Sequence, residues 1–237
     1  MTIAADVESF MGRTGPFVCR CGAEVAHPGA CDSCAAAWEL EAFGRLLAPA
    51  RATIPARFRW ARFGAPEMRQ RVPEANMRRV LDVASPLPLG IALVGESGAG
   101  KTSLACAMLQ RIHDWAAPNR PHAGVERARR AFFVSAGELV AAGEEAKRYN
   151  AVESETLKRA RHASVLVLDN VEPGKLDGIV GRVVMDRHDS ELVTIVTTWM
   201  DEAEAGRHYG GGWARRAYGV TVMLEKPVVS VFKAEVA

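Results

Sequence analysis

Residues 91–104 read IALVGESGAGKTSL, an apolar run that breaks into glycines and resumes as a helix-forming segment. Gly95 to Thr102 fit G-x-x-x-x-G-K-[ST], the phosphate-binding P-loop. Each residue type in it has a physical task. Gly95, Gly98 and Gly100 let the backbone turn tightly and bring N–H groups against phosphate oxygens with no Cβ in the way. The helix that follows offers its unpaired N–H groups and positive dipole end to the same anion. Lys101 supplies a point charge for the β- and γ-phosphates, and the Thr102 hydroxyl is placed to ligate Mg²⁺. The expected cradle is Gly95, Glu96, Ser97, Gly98, Ala99, Gly100, Lys101, Thr102 and Ser103, holding ATP with Mg²⁺.

Two further groups carry chemistry. Cys19-x-Cys21-x9-Cys31-x2-Cys34 sets two close thiol pairs on either side of a short loop. That arrangement brings four thiolates to the corners of a tetrahedron, as structural Zn²⁺ requires, and the expected ligands are Cys19, Cys21, Cys31 and Cys34. The first pair is tighter than usual, which leaves His27 as an alternative ligand. Residues 164–172, SVLVLDNVE, form a buried strand that ends in an acid, the Walker B pattern. Asp169 is expected to hold Mg²⁺ through water.

Composition sets the frame. A chain of 237 residues suits one ATPase domain and a small module, and 49% hydrophobic with 24% charged residues is ordinary for a globular protein. No apolar run approaches the ~20 residues that span a bilayer. The first residues lack a basic region followed by an apolar stretch, so no secretion signal is visible and the cytosol is expected. In that reducing compartment, four clustered cysteines favour metal over disulfides.

The expected organisation has three parts: a zinc-binding, partner-docking module over 1–48, an arginine-rich connector over 49–83, and an ATPase domain over 84–237. The module is too short to bury a core of its own, so metal would supply most of its folding energy. Apolar spacing at Trp38, Leu40, Phe43 and Leu47 predicts a helix over 35–47. Residues 1–48 carry six acidic and three basic side chains, which favours docking to protein over DNA. The connector holds eight arginines against Glu67 and Glu74 over residues 51–79, interleaved with Phe58, Trp60 and Phe63. Such a stretch can bind single-stranded DNA through phosphate contacts and stacking. The favoured reading is that its aromatics pack on the core with the arginines solvated, Ile54, Pro55 and Phe58 wrapping the adenine. A helix is expected over 76–84.

From residue 88 onward strands and helices alternate. Strands are predicted at 89–94, 131–134, 164–169, 192–198 and 219–224, and helices at 102–115, 137–147, 157–161 and 176–188. Ser135 with Glu138 forms a capping box, and residues 116–130 read as a basic loop. The fold class is α/β: a P-loop NTPase with a parallel sheet flanked by helices. A strand between the Walker A and Walker B strands indicates the additional-strand class, which includes AAA+ ATPases. P-loop kinases compete with it, but they carry a lid and a substrate loop that the sequence does not show.

With these residues in view, the chain resembles the DnaC/DnaI/IstB group of AAA+ ATPases. The stretches that carry the resemblance lie within residues 51–225: IPARF, GESGAGKTSLACAML, AFFVSAGELV, VLVLDNVE, LVTIVTTWM and YGGGWARRAY. A zinc module ahead of the ATPase is similar to the DnaI-type loaders in particular. The resemblance implies a protein that loads a replicative hexameric helicase on DNA, or helps a transposase choose its target, and that forms a homo-oligomer when ATP-bound. It implies that Arg216 or Arg215 is an arginine finger reaching a neighbour's γ-phosphate, with Arg187 a second interface candidate, and that Thr198 senses the γ-phosphate.

The sequence departs from the family's pattern in three places. Asn170 follows Asp169 where a second acid normally polarises the attacking water. An amide orients water but accepts no proton, so slow hydrolysis is expected, or Glu172 substitutes. Trp199 follows Thr197 and Thr198 where a polar sensor is commoner. The chain also ends soon after its last strand, leaving a reduced or absent lid.

Overall fold

The computed structural model describes residues 17–26, 29–115, 122–149, 153–173 and 177–226. Contacts divide the chain into two compact units, Met1–Leu46 and Leu47–Ala237.

In the first unit a short antiparallel hairpin, β1 (Phe17–Val18) and β2 (Glu24–Val25), pairs Phe17 with Val25. The turn between them carries Cys19 and Cys21. It is closed by Cys19 N–H donating to the Ala23 carbonyl at 2.8 Å and Gly22 N–H donating to the Cys19 carbonyl at 2.8 Å. Helix α1 (Asp32–Arg51) starts beside Cys31, with Asp32 in its first turn, where a carboxylate suits the helix dipole. The helix is longer at both ends than the apolar spacing predicts, and its Leu47 and Ala50 are buried within the second unit.

The second unit is built on five parallel strands: β3 (Gly90–Val94), β4 (Ala131–Ser135), β5 (Val165–Val171), β6 (Val193–Thr198) and β7 (Val220–Met223). Their order is β4-β5-β6-β3-β7. Strands buried on both faces read as continuous apolar runs, and alternate residues feed two separate cores. Ile91, Leu93, Val165, Val167 and Ile195 point to one face. Ala92, Val94, Leu166, Leu168 and Val196 point to the other.

The first face is covered by the connector, with its helices α2 (Pro66–Arg71) and α3 (Glu74–Val83), and by α4 (Lys101–Trp115). The helix α3 begins two residues earlier than expected, because the Pro73 carbonyl accepts from the N–H groups of Asn76 and Met77. Ile54 and Met68 are buried in this core, and Phe58, Trp60 and Phe63 pack against it. Buried Gln110 on α4 pins the connector by donating to the carbonyls of Arg59 and Ala61 at 3.1 and 2.8 Å.

A helix α5 (His122–Arg129) occupies most of the stretch expected to be loop, and residues 116–121 lie outside the described residues. The second face is covered by α6 (Ala136–Arg148), α7 (Glu155–His162), α8 (Asp177–Asp189), α9 (Glu202–Tyr209) and α10 (Gly211–Ala217). The capping box at the start of α6 forms as the sequence indicates, with Ser135 and Glu138 bonding each other's backbone.

Each outer strand of the sheet is met by the connector region. At β4, Phe133 N–H donates to the Thr53 hydroxyl at 3.1 Å. At β7, Arg79 donates to the Met223 carbonyl at 3.0 Å. Among the described residues no helix is long and apolar enough to cross a membrane.

Candidate functional site

The residues expected to act on a nucleotide gather at the carboxyl ends of β3, β5 and β6. Strand β3 is fully buried, and its exit is anchored by Gly95 N–H donating to the Thr198 carbonyl at 3.2 Å. The turn then runs through Gly98 and Gly100, both at φ +87°, a region that penalises a side chain. Gly100 also lies against the connector: a Cβ there would stand 2.9 Å from Val72 Cγ2. Helix α4 starts at Lys101. The Ala99 carbonyl accepts from buried Asn76 at 3.3 Å, Glu96 and Ser97 are exposed, and Ser103 is buried on the helix.

Lys101 donates to the carbonyls of Gly95 and Glu96 at 2.6 and 2.9 Å, so its ammonium stands within the turn. Burial lowers its pKa below the ordinary lysine value, and the Asp169 and Glu172 carboxylates oppose that shift. The Thr102 hydroxyl donates to Asp169 Oδ1 at 2.8 Å. The Thr197 hydroxyl donates to the same oxygen at 2.6 Å. One hydroxyl and one carboxylate with its second oxygen at hand form a hard-oxygen donor pair suited to Mg²⁺.

Asp169 ends the regular part of β5. Leu168 pairs with Val196 but Val171 pairs with Thr198, so three steps on β5 match two on β6. The extra residue makes a bulge, with Asn170 at φ +58° and its N–H donating to the Thr197 hydroxyl at 2.9 Å. Asparagine is among the few residue types that take left-handed backbone readily, whereas glutamate is not. The local shape of β5 therefore matches the residue that breaks the acidic pattern.

The two threonines that end β6 are placed differently. Thr198 turns away from the carboxylate, donating to the Val171 carbonyl at 2.7 Å and accepting from Met200 N–H at 3.1 Å. Thr197 is the hydroxyl that faces Asp169. The sequence offers two adjacent threonines, and the strand's alternation admits only one of them to the site. Glu172 is exposed beyond the bulge, and its main-chain carbonyl accepts from the Tyr209 hydroxyl at 2.6 Å.

Arg215 and Arg216 lie at the opposite end of the sheet. Gly90, the first residue of β3, is packed so closely under α10 that a Cβ would fall 1.9 Å from the Arg216 carbonyl oxygen. Five residues of strand, about 17 Å, separate that point from the P-loop. An arginine side chain does not span this, so neither residue serves its own chain's nucleotide. Arg216 turns inward, donating to the Gly212 carbonyl at 3.2 Å and to Asp189 at 3.4 Å. Arg215 is exposed.

Arg187 is not available to an interface. It is fully buried on α8, and its guanidinium donates to the carbonyls of Ala160, Arg161, Ala163 and Val193 and to the Thr194 hydroxyl. Three of these carbonyls form the carboxyl end of α7, where partial negative charge offsets the buried cation. It is a structural clasp.

In the first unit, one ligand atom from each of Cys19, Cys21, Cys31 and Cys34 falls within 4.8 Å of all the others. The Cys21 and Cys31 sulfurs are 3.5 Å apart. Tetrahedral Zn²⁺ at ~2.3 Å from sulfur needs ligand sulfurs about 3.8 Å apart, so the donor set fits. Backbone groups at Cys21 and Cys31 lower the Cys19 thiol to about 6, and the neighbouring sulfurs raise that of Cys34. The turn thus favours the thiolate form of Cys19. His27 lies outside the described residues.

The sequence model of the family described as "ATPase family associated with various cellular activities (AAA)" matches residues 91–212. No curated protein matches the chain in sequence. The structure is similar to that of the DnaC helicase loader, at TM-score 0.56 and 16% identity over 72% of this chain and 100% of that one. It is also similar to domain III of the Thermotoga maritima replication initiation protein DnaA, at TM-score 0.53 and 16% identity over 65% of this chain and 64% of that one. At these identities the likeness is one of fold.

Proposed function

The chain belongs to the AAA family of ATPases, and from that premise we infer that it loads or positions a replicative hexameric helicase on DNA, with ATP as an assembly switch. The observation that carries the reading is a separate four-cysteine unit joined to a sheet of this family. Residues 95–103 would cradle the phosphates, with Thr102 and Asp169 holding Mg²⁺ and Thr197 registering the γ-phosphate through its bond to Asp169. Zn²⁺ on Cys19, Cys21, Cys31 and Cys34 would hold the docking unit in shape. Arg215 is the better finger for a neighbouring copy, since Arg216 is engaged by Asp189.

Single-stranded DNA is the nucleic acid that fits the connector. Arg62, Arg78 and Arg79 are paired with carboxylates. Arg57, Arg59, Arg69 and Arg71 are exposed without such a pair among the described residues, and Arg71 lies 4.6 Å over the Trp60 ring. A run of unpaired arginines suits a phosphate backbone. A loader of this kind would act in the cytosol.

The test is a pull-down with the full chain in Mg·ATP. A replicative helicase should be retained, and Lys101→Ala, which removes the phosphate cation, should abolish ATP-dependent retention. Recovery of a transposase instead, as expected of an IstB-like helper, would overturn the loader reading. Recovery of neither by a chain that binds ATP would favour a stand-alone NTPase.

Hydrolysis should be slow, because Asn170 follows Asp169 and its amide orients water but accepts no proton. Asn170→Glu should raise turnover about tenfold or more, although left-handed strain at a glutamate limits the gain. Glu172→Ala should lower the residual rate. Unchanged steady-state turnover in both variants would remove both positions from the chemistry.

A further inference from the structure

The three residues that follow β7 run alongside the start of the P-loop, and they are held there from several sides. Leu224 N–H donates to the Val94 carbonyl at 2.7 Å. Its carbonyl oxygen comes so close to Gly95 that a Cβ there would stand 2.6 Å away. Glu225 is clamped at both backbone groups by the Asn76 side chain, which accepts from its N–H at 3.1 Å and donates to its carbonyl at 2.7 Å. The same Asn76 bonds Ala99 of the P-loop. Arg79 pairs with the Glu225 carboxylate at 2.6 Å.

This strap delivers Lys226 to the phosphate loop. The Lys226 Cε lies 3.7 Å from where a Cβ on Gly98 would be, and its ammonium is 3.2 Å from Glu96 of the same loop. We infer that Lys226 is a second phosphate-binding cation of the nucleotide site, parked on Glu96 until a polyphosphate takes it. The inference rests on the reading that residues 95–102 hold a nucleoside triphosphate.

Three observations support it. The pair with Glu96 is exposed, at 58% and 78% of the two side chains, and such pairs are weak, so exchange for a multiply charged phosphate is favourable. Gly98 has left-handed backbone and no side chain, which leaves the lysine stem room to lie along the loop. The buried Asn76 amide, fully enclosed, fixes strap and loop in one register, so Lys226 is presented at a set place.

The test is titration of a fluorescent ATP analogue with Mg²⁺ into the full chain at low and high salt. Lys226→Ala should weaken binding about three- to tenfold at low salt and less at high salt, as screening predicts. Lys226→Arg should stay within about twofold of the native chain. Glu96→Gln, which frees the lysine, should tighten binding. Two exposed side chains are involved, so the variants should fold, as far-ultraviolet circular dichroism would verify. Equal weakening by Glu96→Gln and Lys226→Ala would show a mere loop brace and overturn the inference. So would native-like affinity in Lys226→Ala. Failure of the native chain to bind the analogue would overturn the nucleotide reading itself.

Discussion

Arg187→Met should cost the ATPase unit about 3–5 kcal/mol, among the largest effects a single substitution can have here. Methionine fills much of the same volume, so the loss is not chiefly a cavity. It comes from acceptors: the carbonyls of Ala160, Arg161, Ala163 and Val193 and the Thr194 hydroxyl are all served by one guanidinium. Three of those carbonyls end a helix and have no intrahelical partner. Stranded in the interior, each loses the solvation it had in the unfolded chain. Arg187→Lys should recover only part of the loss, because an ammonium has three donors and a single direction of approach for each. Thermal and denaturant unfolding of the full chain would measure this, with a fall in Tm of roughly 6–20 °C. A loss below about 1 kcal/mol would show that water replaces the guanidinium cheaply and that the clasp is dispensable.

Metal removal should act on the other unit and spare the sheet. The described part of Met1–Leu46 has two-residue strands and one helix, and its exposed apolar side chains include Val18, Trp38 and Leu40. Little remains to hold the hairpin once the four sulfurs are unlinked. The purified chain should carry one Zn²⁺ per molecule by native mass spectrometry. A strong chelator, or Cys31→Ser, should release it. Hydrogen exchange should then accelerate at the amides of Cys19 and Gly22, which close the thiol turn, while those of β3 and β5 stay protected. A metal-free chain with the same protection in the turn would contradict a structural zinc site. Helicase retention tested on the same Cys31→Ser chain would tie the unit's shape to docking.

The sheet was legible because its signals are local. Apolar runs of strand length, the glycine-rich turn and the acid closing residues 164–169 each declare themselves within a few residues. The parts that escaped depend on distant neighbours. Arg187 reads as one more polar residue near a helix end, and its burial follows only once α7 is known to stop against α8. Whether Thr197 or Thr198 meets Asp169 is decided by strand parity and the bulge at Asn170, which pairing alone reveals. Lys226 gains its interest from a crossing set by Asn76, 149 residues from its Glu225 partner. The helix His122–Arg129 was hidden because a basic, proline-containing stretch looks like loop, and the prolines, Pro118 and Pro121, precede the helix. In the connector, the packing reading of the aromatics is the one that appears: Phe58 and Trp60 pack on the core while Arg57 and Arg59 remain exposed.

The treatment of the two outer strands bears on how copies of this chain can associate. Open parallel sheets invite another strand to dock at either margin, and such growth has no built-in end. Here a newcomer at β4 would have to displace the Thr53 hydroxyl from Phe133, and one at β7 would meet the Arg79 guanidinium already on Met223. Both guards come from the segment that also lines the phosphate loop through Val72 and Asn76. Backbone-templated stacking is thereby disfavoured. Under the assembly proposed above, copies would meet through side chains such as Arg215 and could part without breaking a shared sheet.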